Sequence, residues 1–259
     1  MRTTITRYGR MLLVATMVMA TAPAAAAAGC SFEPQGAGRV SAIIDGRTFR
    51  LDDGREVRLA GLEFPTASSG REALAALIAG REVTLHGDSD TPDRYGRQPA
   101  FVFVDQGNLV QQALLAEGAA LVSAEVAEPP CADLLRTAEA VARKARRGIW
   151  GGSAVIKNAE SPGDILTRVG QFTVVEGRVR SIRQAGTITY VNFGRRWTQD
   201  FAVTISRRMM AAFEGAGISL KSLETRQIRV RGWVELRNGP RIEALHVGQI
   251  ELVGDDQRP

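Results

Sequence analysis

Charged residues in a short stretch of the chain are the first candidates for chemistry. They are Asp45, Arg47, Arg58 and Glu63, within the segment VSAIIDGRTFRLDDGREVRLAGLEFPT at 40–66. Alternating apolar residues and the Asp-Asp-Gly turn signal at 52–54 predict a three-stranded meander there. The charged residues fall at or near strand ends, where a rigid sheet can hold side chains at fixed separations. We therefore look for a binding or catalytic site, or a salt-bridge network, at this meander.

The elements predicted after the meander complete a small barrel. Helical patterns cover 69–79, 109–117 and 132–147, and strands are predicted at 81–85 and 100–104. Three strands, a helix, two strands and two further helices is the order of an OB-type Greek-key barrel with helices packed against it.

Separated motifs along this part of the chain share one spacing pattern. They are Asp45-Gly46-x-Thr48, Val57-Arg58-Leu59 leading to Pro65, Asp93-Arg94-Tyr95-Gly96-Arg97, and Glu139-Ala140-x-Ala142-Arg143 leading to Gly148-Ile149-Trp150. In order and spacing they resemble the staphylococcal nuclease-like, or thermonuclease, family. The resemblance implies a nuclease-like OB barrel, which we place at 38–152.

The resemblance also implies a calcium-dependent phosphodiesterase in which two aspartates hold the metal, a glutamate activates water and two arginines clamp the phosphate. Calcium takes six to eight oxygen ligands, and phosphodiester attack needs neutralised charge and a positioned base. Carried over by position, the two arginines are Arg58 and Arg97. The metal-ligand positions hold Arg47 and Glu63, and the position of the water-activating glutamate holds Thr66.

The sequence leaves three interpretations of this site open. In the first, Arg47 occupies the cation position and pairs with Asp45 or Glu63, and the other arginines bind phosphate or another anion without hydrolysis. In the second, Arg47, Arg58, Arg97 and Glu63 form an inert salt-bridge network. In the third, the domain is an active nuclease that uses Asp45 and Glu63 with a divalent ion. Only this third interpretation requires a cofactor, Ca²⁺.

A second barrel pattern is predicted at 168–253, after a linker at 153–167. Strands are predicted at 172–182, 186–193, 200–205, 227–236 and 241–245, with a helix at 207–213 and an Asn-Gly hairpin turn at 238–239. The patterns Val174, Gly177, Val179 and Val230, Gly232, Val234 resemble OB domains of the tRNA-anticodon-binding type. The predicted fold class is therefore mainly β (α+β), with two OB-type five-stranded Greek-key barrels, the first with three packed helices.

Charge separates the two barrels. The chain has a net charge of +5, and 168–253 carries 14 basic against 7 acidic residues, whereas 30–152 carries 14 against 17. Strand alternation places a basic and aromatic set on the face opposite the valines, which Arg195, Arg196 and Trp197 could extend. The set is Arg178, Arg180, Arg229, Arg231 and Trp233. An exposed face of this kind binds single-stranded nucleic acid in other OB domains. The alternatives are a solvated barrel exterior or a surface packed on the first domain.

The N-terminus has the pattern of a bacterial-type signal peptide at 1–29, with arginines before the apolar run 11–20 and small residues at 24–29. It predicts export to the periplasm or the medium, and the run is too short for a transmembrane segment. Cys30 and Cys131 predict a disulfide in an oxidising compartment. The alternative is lipidation of Cys30, because Ala27-Ala28-Gly29-Cys30 resembles a lipoprotein box.

These patterns together favour an exported thermonuclease-like protein with a degraded metal and base site. We expect it to bind nucleic acid or another polyanion through the retained arginines and the basic OB domain. One alternative is an active secreted calcium-dependent endonuclease, and another is an envelope scaffold that binds protein or glycan.

Overall fold

The computed structural model describes residues 29–66, 70–105, 107–126, 128–152 and 155–254. Apart from Gly29, the predicted signal peptide lies outside the described residues. The fold is mainly β with several helices, as predicted.

The first barrel is built from the elements of the predicted nuclease-like domain. Its strands are β1 (Glu33–Ile43), β2 (Thr48–Leu51), β3 (Glu56–Leu59), β4 (Leu62–Glu63), β5 (Glu82–Gly87), β6 (Arg97–Val104), β7 (Asn108–Leu109) and β8 (Leu121–Val122). Its helices are α1 (Arg71–Ile78), α2 (Val110–Ala116) and α3 (Pro129–Lys144), followed by a 3₁₀ turn at Gly148–Gly151. Strands β1, β2, β3, β6 and β5 pair in that order, and β5 pairs back to β1. This closes the five-stranded barrel predicted from the sequence.

The turn and apolar patterns of the sequence account for this barrel. The β2–β3 turn falls at 52–54, where Gly54 has a φ of 90°. Alternate residues of β2 and β3, among them Phe49 and Val57, are fully buried in the core. The predicted disulfide is confirmed: Cys30 is bonded to Cys131 of α3 across 101 residues. In the chain-entropy model, closing a loop of this length stabilises the fold by about 4–5 kcal/mol.

The second barrel repeats the same strand order. Its elements are β9 (Ile156–Asn158), α4 (Pro162–Leu166), β10 (Phe172–Arg178), β11 (Ser181–Ala185), β12 (Ile188–Asn192), β13 (Ala202–Ser206), α5 (Arg207–Gly215), β14 (Gln227–Leu236), β15 (Pro240–Glu243) and β16 (Ile250–Leu252). The sheet order is β11-β12-β13-β15-β14-β10, with β13 and β15 parallel. Since β10 and β11 are the two halves of the strand predicted at 172–182, this is again the OB order. The predicted linker 153–167 contains β9, which pairs with β10, and α4.

The two barrels are packed against each other. Apolar side chains of the first barrel meet those of β10 and of the residue just before β9 in one buried cluster, formed by Leu121, Ala142, Trp150, Val155, Phe172 and Val174. Beside this cluster, the guanidinium of Arg231 on β14 is bonded to Glu139 of α3 at 2.9 and 3.1 Å. It also donates to the Val122 carbonyl oxygen at 3.0 Å. The interface is therefore sealed by both apolar contact and a buried ion pair.

This interface corrects one prediction about the outward face of β14. Arg229 and Arg231 are only 3% and 1% exposed. The predicted exposed basic surface is wrong for these two arginines, because their face of the strand packs on the first barrel, the arrangement that the sequence had left as an alternative. Trp233, further along the same face, is 51% exposed. No helix in the described part of the chain has the length and apolar character needed to cross a membrane.

Candidate functional site

Strand pairing gathers the charged residues of the meander at one end of the first barrel. Arg58 lies on β3, which pairs on one side with β2 and on the other side, in parallel, with β6, the strand that begins at Arg97. Asp45 and Arg47 lie in the tight connection between β1 and β2, where the Arg47 carbonyl accepts a hydrogen bond from Leu59 N–H of β3. The sheet thus holds Arg58 and Arg97 on neighbouring strands and keeps Asp45 and Arg47 in the connection beside them, at or near strand ends as the sequence predicted.

Glu63 is the carboxylate at the centre of this arrangement. It lies on β4 and is 4% exposed. The Arg47 guanidinium donates from Nη1 to Glu63 Oε2 at 2.8 Å, and Arg58 Nη2 lies 3.6 Å from Glu63 Oε1. The pairing of Arg47 with Glu63, one of the two partners expected for it, is confirmed. The other, Asp45, instead accepts the backbone N–H of Arg47 at 2.8 Å, which shapes the turn.

Burial disfavours the charged forms of both Glu63 and Arg58. Burial raises the pKa of Glu63 above its usual range and outweighs the attraction of Arg47 and Arg58. Burial also lowers the pKa of Arg58, and the charges of Arg47 and Arg97 lower it further. The Arg58 Nε atom is buried and has no hydrogen-bond partner among the described residues. The Glu63 carboxylate is therefore shared by the Arg47 and Arg58 guanidiniums, and the Nε–H donor of Arg58 has no acceptor among the described residues.

Arg97 is held by the polar loop that precedes β6. Its guanidinium bonds to Asp93 Oδ2 from Nε at 3.0 Å and from Nη2 at 2.7 Å. Burial alone would raise the pKa of Asp93, but hydrogen bonds from Arg97 and the Tyr95 backbone lower it to about 2. The ring of Tyr95, 64% exposed, lies under the guanidiniums of both Arg97 and Arg94, with centroid distances of 4.9 and 4.8 Å. The loop therefore presents two arginines around one exposed aromatic ring.

These residues do not fit a calcium ion. Calcium needs several free carboxylate or carbonyl oxygens. Here Glu63 already accepts a hydrogen bond from Arg47, which carries a permanent positive charge at the position where the family resemblance implies a metal ligand. Within the described ranges, no three His, Cys, Asp or Glu side chains are grouped as a metal site would require. The donor set suits an anion better than a cation.

Sequence reasoning missed one residue near this group. Glu125 is exposed, and its charge acts on both Arg58 and Glu63. It follows β8, which pairs with β4 and so brings the chain after 122 to the site. Glu125 lies about 60 residues from Glu63 along the chain, so no local sequence pattern connects the two. Only the β4–β8 pairing could have indicated that they are neighbours.

The site residues predicted on the second barrel are not brought together. Arg178 and Arg180 are exposed, and Arg178 Nη1 donates to the Thr225 carbonyl oxygen at 2.9 Å. Arg229 and Arg231 are buried at the interface between the barrels, as described above. Trp233 lies at the edge of that interface, with its ring 6.2 Å from that of Phe172 and nearly perpendicular to it. The predicted set therefore divides into exposed and buried groups.

Comparisons with known proteins find a family match within the first barrel. The model of the family described as "Staphylococcal nuclease homologue" matches residues 56–152. Two proteins, from Escherichia coli O157:H7 and Escherichia coli, each named "Uncharacterized endonuclease", are 31% identical to this chain over 121 residues. Each match covers 44% of this chain and 76% of the relative.

Proposed function

The chain belongs to the family of staphylococcal nuclease homologues, and we propose that its family domain binds the phosphates of nucleic acid without hydrolysing them. Nuclease homology supports the choice of nucleic acid as the polyanion. The absence of hydrolysis is proposed from the residues that stand in the metal and base positions of this chain.

The ion pair between Arg47 and Glu63 is the observation that carries the proposal. A guanidinium 2.8 Å from the buried carboxylate places a fixed positive charge at a position where the family pattern has a metal ligand. This charge can help to neutralise a phosphate but cannot lower the pKa of a bound water as a metal ion does. The arrangement thus favours anion binding over hydrolysis.

The remaining arginines suit a phosphodiester group. Guanidiniums form short, charge-assisted hydrogen bonds to phosphate oxygens, often in pairs. Arg58 has a buried Nε without a partner in the described part of the chain, and Arg97 is oriented by Asp93. At the position of the water-activating glutamate, Thr66 offers a hydroxyl in place of a carboxylate.

The test combines cleavage and binding on the same protein. The chain from Cys30 to Pro259 is titrated with calcium in the presence of single- and double-stranded DNA and RNA, and binding is measured between about 50 and 200 mM salt. We expect no cleavage, and retention that weakens steeply with salt. Arg58→Ala should weaken binding, whereas Arg50→Ala, which removes an exposed arginine paired with Glu56 on the neighbouring strand, should not. Calcium-dependent cleavage that is lost in Arg97→Ala would overturn the proposal.

The second candidate is an active endonuclease, favoured by the name of the Escherichia coli relatives. It would have to use Asp45 and Glu63 with a divalent ion. The double substitution Arg47→Asp with Thr66→Glu restores the family's acidic residues and distinguishes the two functions. If the natural chain is inactive and the double variant cleaves DNA with calcium, the natural chain is a binding protein on a nuclease scaffold.

We also propose that the protein is exported. The Cys30–Cys131 disulfide is compatible with an oxidising compartment, where such bonds persist. A sulfur atom held in that disulfide has no free valence for a thioether-linked lipid, so we favour the disulfide over lipidation of Cys30. The intact mass of the protein purified from its native compartment tests this: it should match a chain that begins at Cys30, without an added acyl mass.

A further inference from the structure

The loop between β12 and β13, residues 194–200, carries an exposed tryptophan between polar and basic residues. Trp197 is 71% exposed, the highest value for a large apolar side chain in the described part of the protein. Arg195 and Arg196 precede it and are also exposed. We propose that this loop, together with Arg237 on the adjacent β14–β15 turn, is a second binding site, specific for single-stranded nucleic acid. The inference rests on the nucleic-acid binding proposed above and adds a site on the second barrel.

The loop is held in one conformation by its own hydrogen bonds. The Asp200 carboxylate accepts the Arg196 backbone N–H at 2.7 Å. The Arg196 carbonyl in turn accepts the backbone N–H groups of Gln199 and Asp200, both at 2.8 Å. Gly194 packs directly on the Asp200 side chain, where a Cβ atom would come within 2.1 Å of Oδ2. Because these contacts order the loop before any ligand arrives, presenting Trp197 costs little additional entropy on binding.

The β14–β15 turn buttresses this loop. A Cβ atom at Gly239 would lie 3.1 Å from the Asp200 carbonyl oxygen and 3.3 Å from the Gln199 backbone nitrogen. The close approach needs a glycine, and the φ of Gly239 is 96°. Arg237, two residues earlier in the same turn, is exposed. The turn thus adds a third arginine to the end of the barrel that carries Trp197.

The carboxylates in and beside these segments are already paired with other groups of the protein. Asp200 caps the loop backbone and lies 3.7 Å from the Arg196 guanidinium. Glu235 of β14 is paired with Arg241 at 2.7 Å. Among the described residues, no carboxylate lies within the 4.0 Å ion-pair distance of Arg195 or Arg237. The loop and turn therefore present positive charge beside an aromatic ring.

This combination matches the chemistry of a single strand. Unpaired bases stack on exposed aromatic rings, while arginines neutralise the phosphates between them. A double helix hides the faces of its bases, so an exposed indole gains little from it. The Arg229 and Arg231 face expected to do this work is buried. We assign that role to Trp197 and its neighbours instead.

The experiment measures binding of the chain from Cys30 to Pro259 to a fluorescein-labelled 20-nucleotide oligothymidine at about 50 mM salt. Base stacking is worth about 1–3 kcal/mol per base. Trp197→Ala should therefore weaken binding about fivefold to 150-fold, and Trp197→Phe, which keeps a stacking ring, should stay within about threefold of the natural chain. Leu252→Ala, which removes an exposed apolar side chain on β16, is the control and should leave binding unchanged. Intrinsic fluorescence supplies a second readout, because quenching by the unlabelled oligomer should be lost in Trp197→Phe while binding persists.

The outcomes separate this inference from the proposed function. If Arg58→Ala weakens binding and Trp197→Ala does not, the inference is overturned and the phosphate site of the first barrel stands. If Trp197→Ala weakens binding and Arg58→Ala does not, the inference stands and the proposed site fails. If the natural chain binds no oligothymidine, the inference is overturned, and the binding test with double-stranded DNA and RNA then decides the proposed function. Retention on anionic phospholipid vesicles that depends on Trp197, with oligomer binding unchanged in Trp197→Ala, would overturn the inference in favour of a membrane contact.

Discussion

Two groups of buried and half-buried arginine and glutamate side chains differ in how well their charges are compensated. The site cluster consists of Arg47, Arg58 and Glu63 in the first barrel. The interface cluster consists of Arg229, Arg231, Glu139 and Glu251, and it joins the two barrels. Arg231 makes hydrogen bonds of 2.6–3.1 Å to two glutamates and a carbonyl oxygen. In the site cluster, Arg58 reaches Glu63 only at 3.6 Å and leaves its Nε without a partner in the described chain.

The pKa shifts of the two clusters have opposite signs. Burial would raise the pKa of Glu251 and lower that of Arg231. The charges of Arg231, Arg229 and Arg143 nevertheless lower the pKa of Glu251, and those of Glu139 and Glu251 raise the pKa of Arg231. In the site cluster burial dominates, and the pKa of Glu63 is raised while that of Arg58 is lowered. The interface cluster therefore stabilises its own charges, whereas the site cluster would gain from a further anion. This difference supports a structural role for the interface arginines and the ligand-binding role proposed for Arg58.

The largest effect is expected at the interface cluster. Arg231→Met should lower the free energy of unfolding by about 3–5 kcal/mol, because it leaves Glu139 and Glu251 buried without their main cation. Urea denaturation of the chain from Cys30 to Pro259 measures this. Arg39→Met, at an exposed pair with Glu82, is the control and should cost less than about 1 kcal/mol. A loss at Arg231 no larger than at Arg39 would show that the interface cluster is not structural.

The second prediction concerns Arg58. Its substitution should weaken ligand binding but leave the stability of the fold nearly unchanged. Arg58→Gln should change the free energy of unfolding by less than about 1 kcal/mol, because Glu63 keeps its bond to Arg47. It should nevertheless weaken binding of oligothymidine and reduce the slope of log K against log salt by about 1, as the loss of one phosphate contact predicts. Arg50→Gln, with an exposed partner, serves as the control for both measurements. A large loss of stability with unchanged binding would make the site cluster an inert network, the second interpretation of the sequence.

The two clusters also show how much of the structure could be predicted from the sequence. Both barrels, their strand order, the Asn238-Gly239 turn and the disulfide follow from local patterns and cysteine spacing. Motif positions narrowed the partner of Arg47 to Asp45 or Glu63, and the structure shows Glu63. The burial of Arg231 did not, because strand alternation places a side chain on a face but cannot tell whether another barrel covers that face. Its partner Glu139 is 92 residues away along the chain, and only tertiary packing brings them together.

The third prediction is a loss of stability in acid that depends on the interface cluster. Because the folded-state pKa of Glu251 is lowered, its contribution is present above the unfolded-state value of 4.5 and is lost as the pH falls through the folded-state pKa. The free energy of unfolding should therefore fall with acid more steeply in the natural chain than in Glu251→Gln. Denaturation curves at several pH values below 4.5 measure this. Parallel pH profiles for the two proteins would contradict the sign assigned to Glu251.

The smallest effect is expected at Glu63. Here acid should raise the affinity for a ligand, whereas at Glu251 acid should lower the stability of the fold. Its pKa is raised, so as the pH falls from neutrality Glu63 loses its charge before ordinary glutamates do. The neutral form frees Arg47 and removes a repulsion from the bound phosphate. Affinity for oligothymidine, whose bases do not titrate in this range, should then rise about threefold, as Coulomb's law gives for unit charges about 6 Å apart in a water-like medium. Glu63→Gln should bind more tightly at neutral pH and show no such rise.

Two neighbouring acids could confuse this measurement, and each has a control. Asp93, with a pKa of about 2, stays ionised throughout, so the hold on Arg97 does not change. Glu125 is exposed and acts on both Arg58 and Glu63, so the profile is repeated with Glu125→Gln. A rise in affinity that persists in Glu63→Gln and vanishes in Glu125→Gln would show that the rise depends on the exposed Glu125 and not on Glu63. The site cluster would then have no more unmet charge than the interface cluster, and the distinction between a structural and a ligand-binding arginine pair would fail.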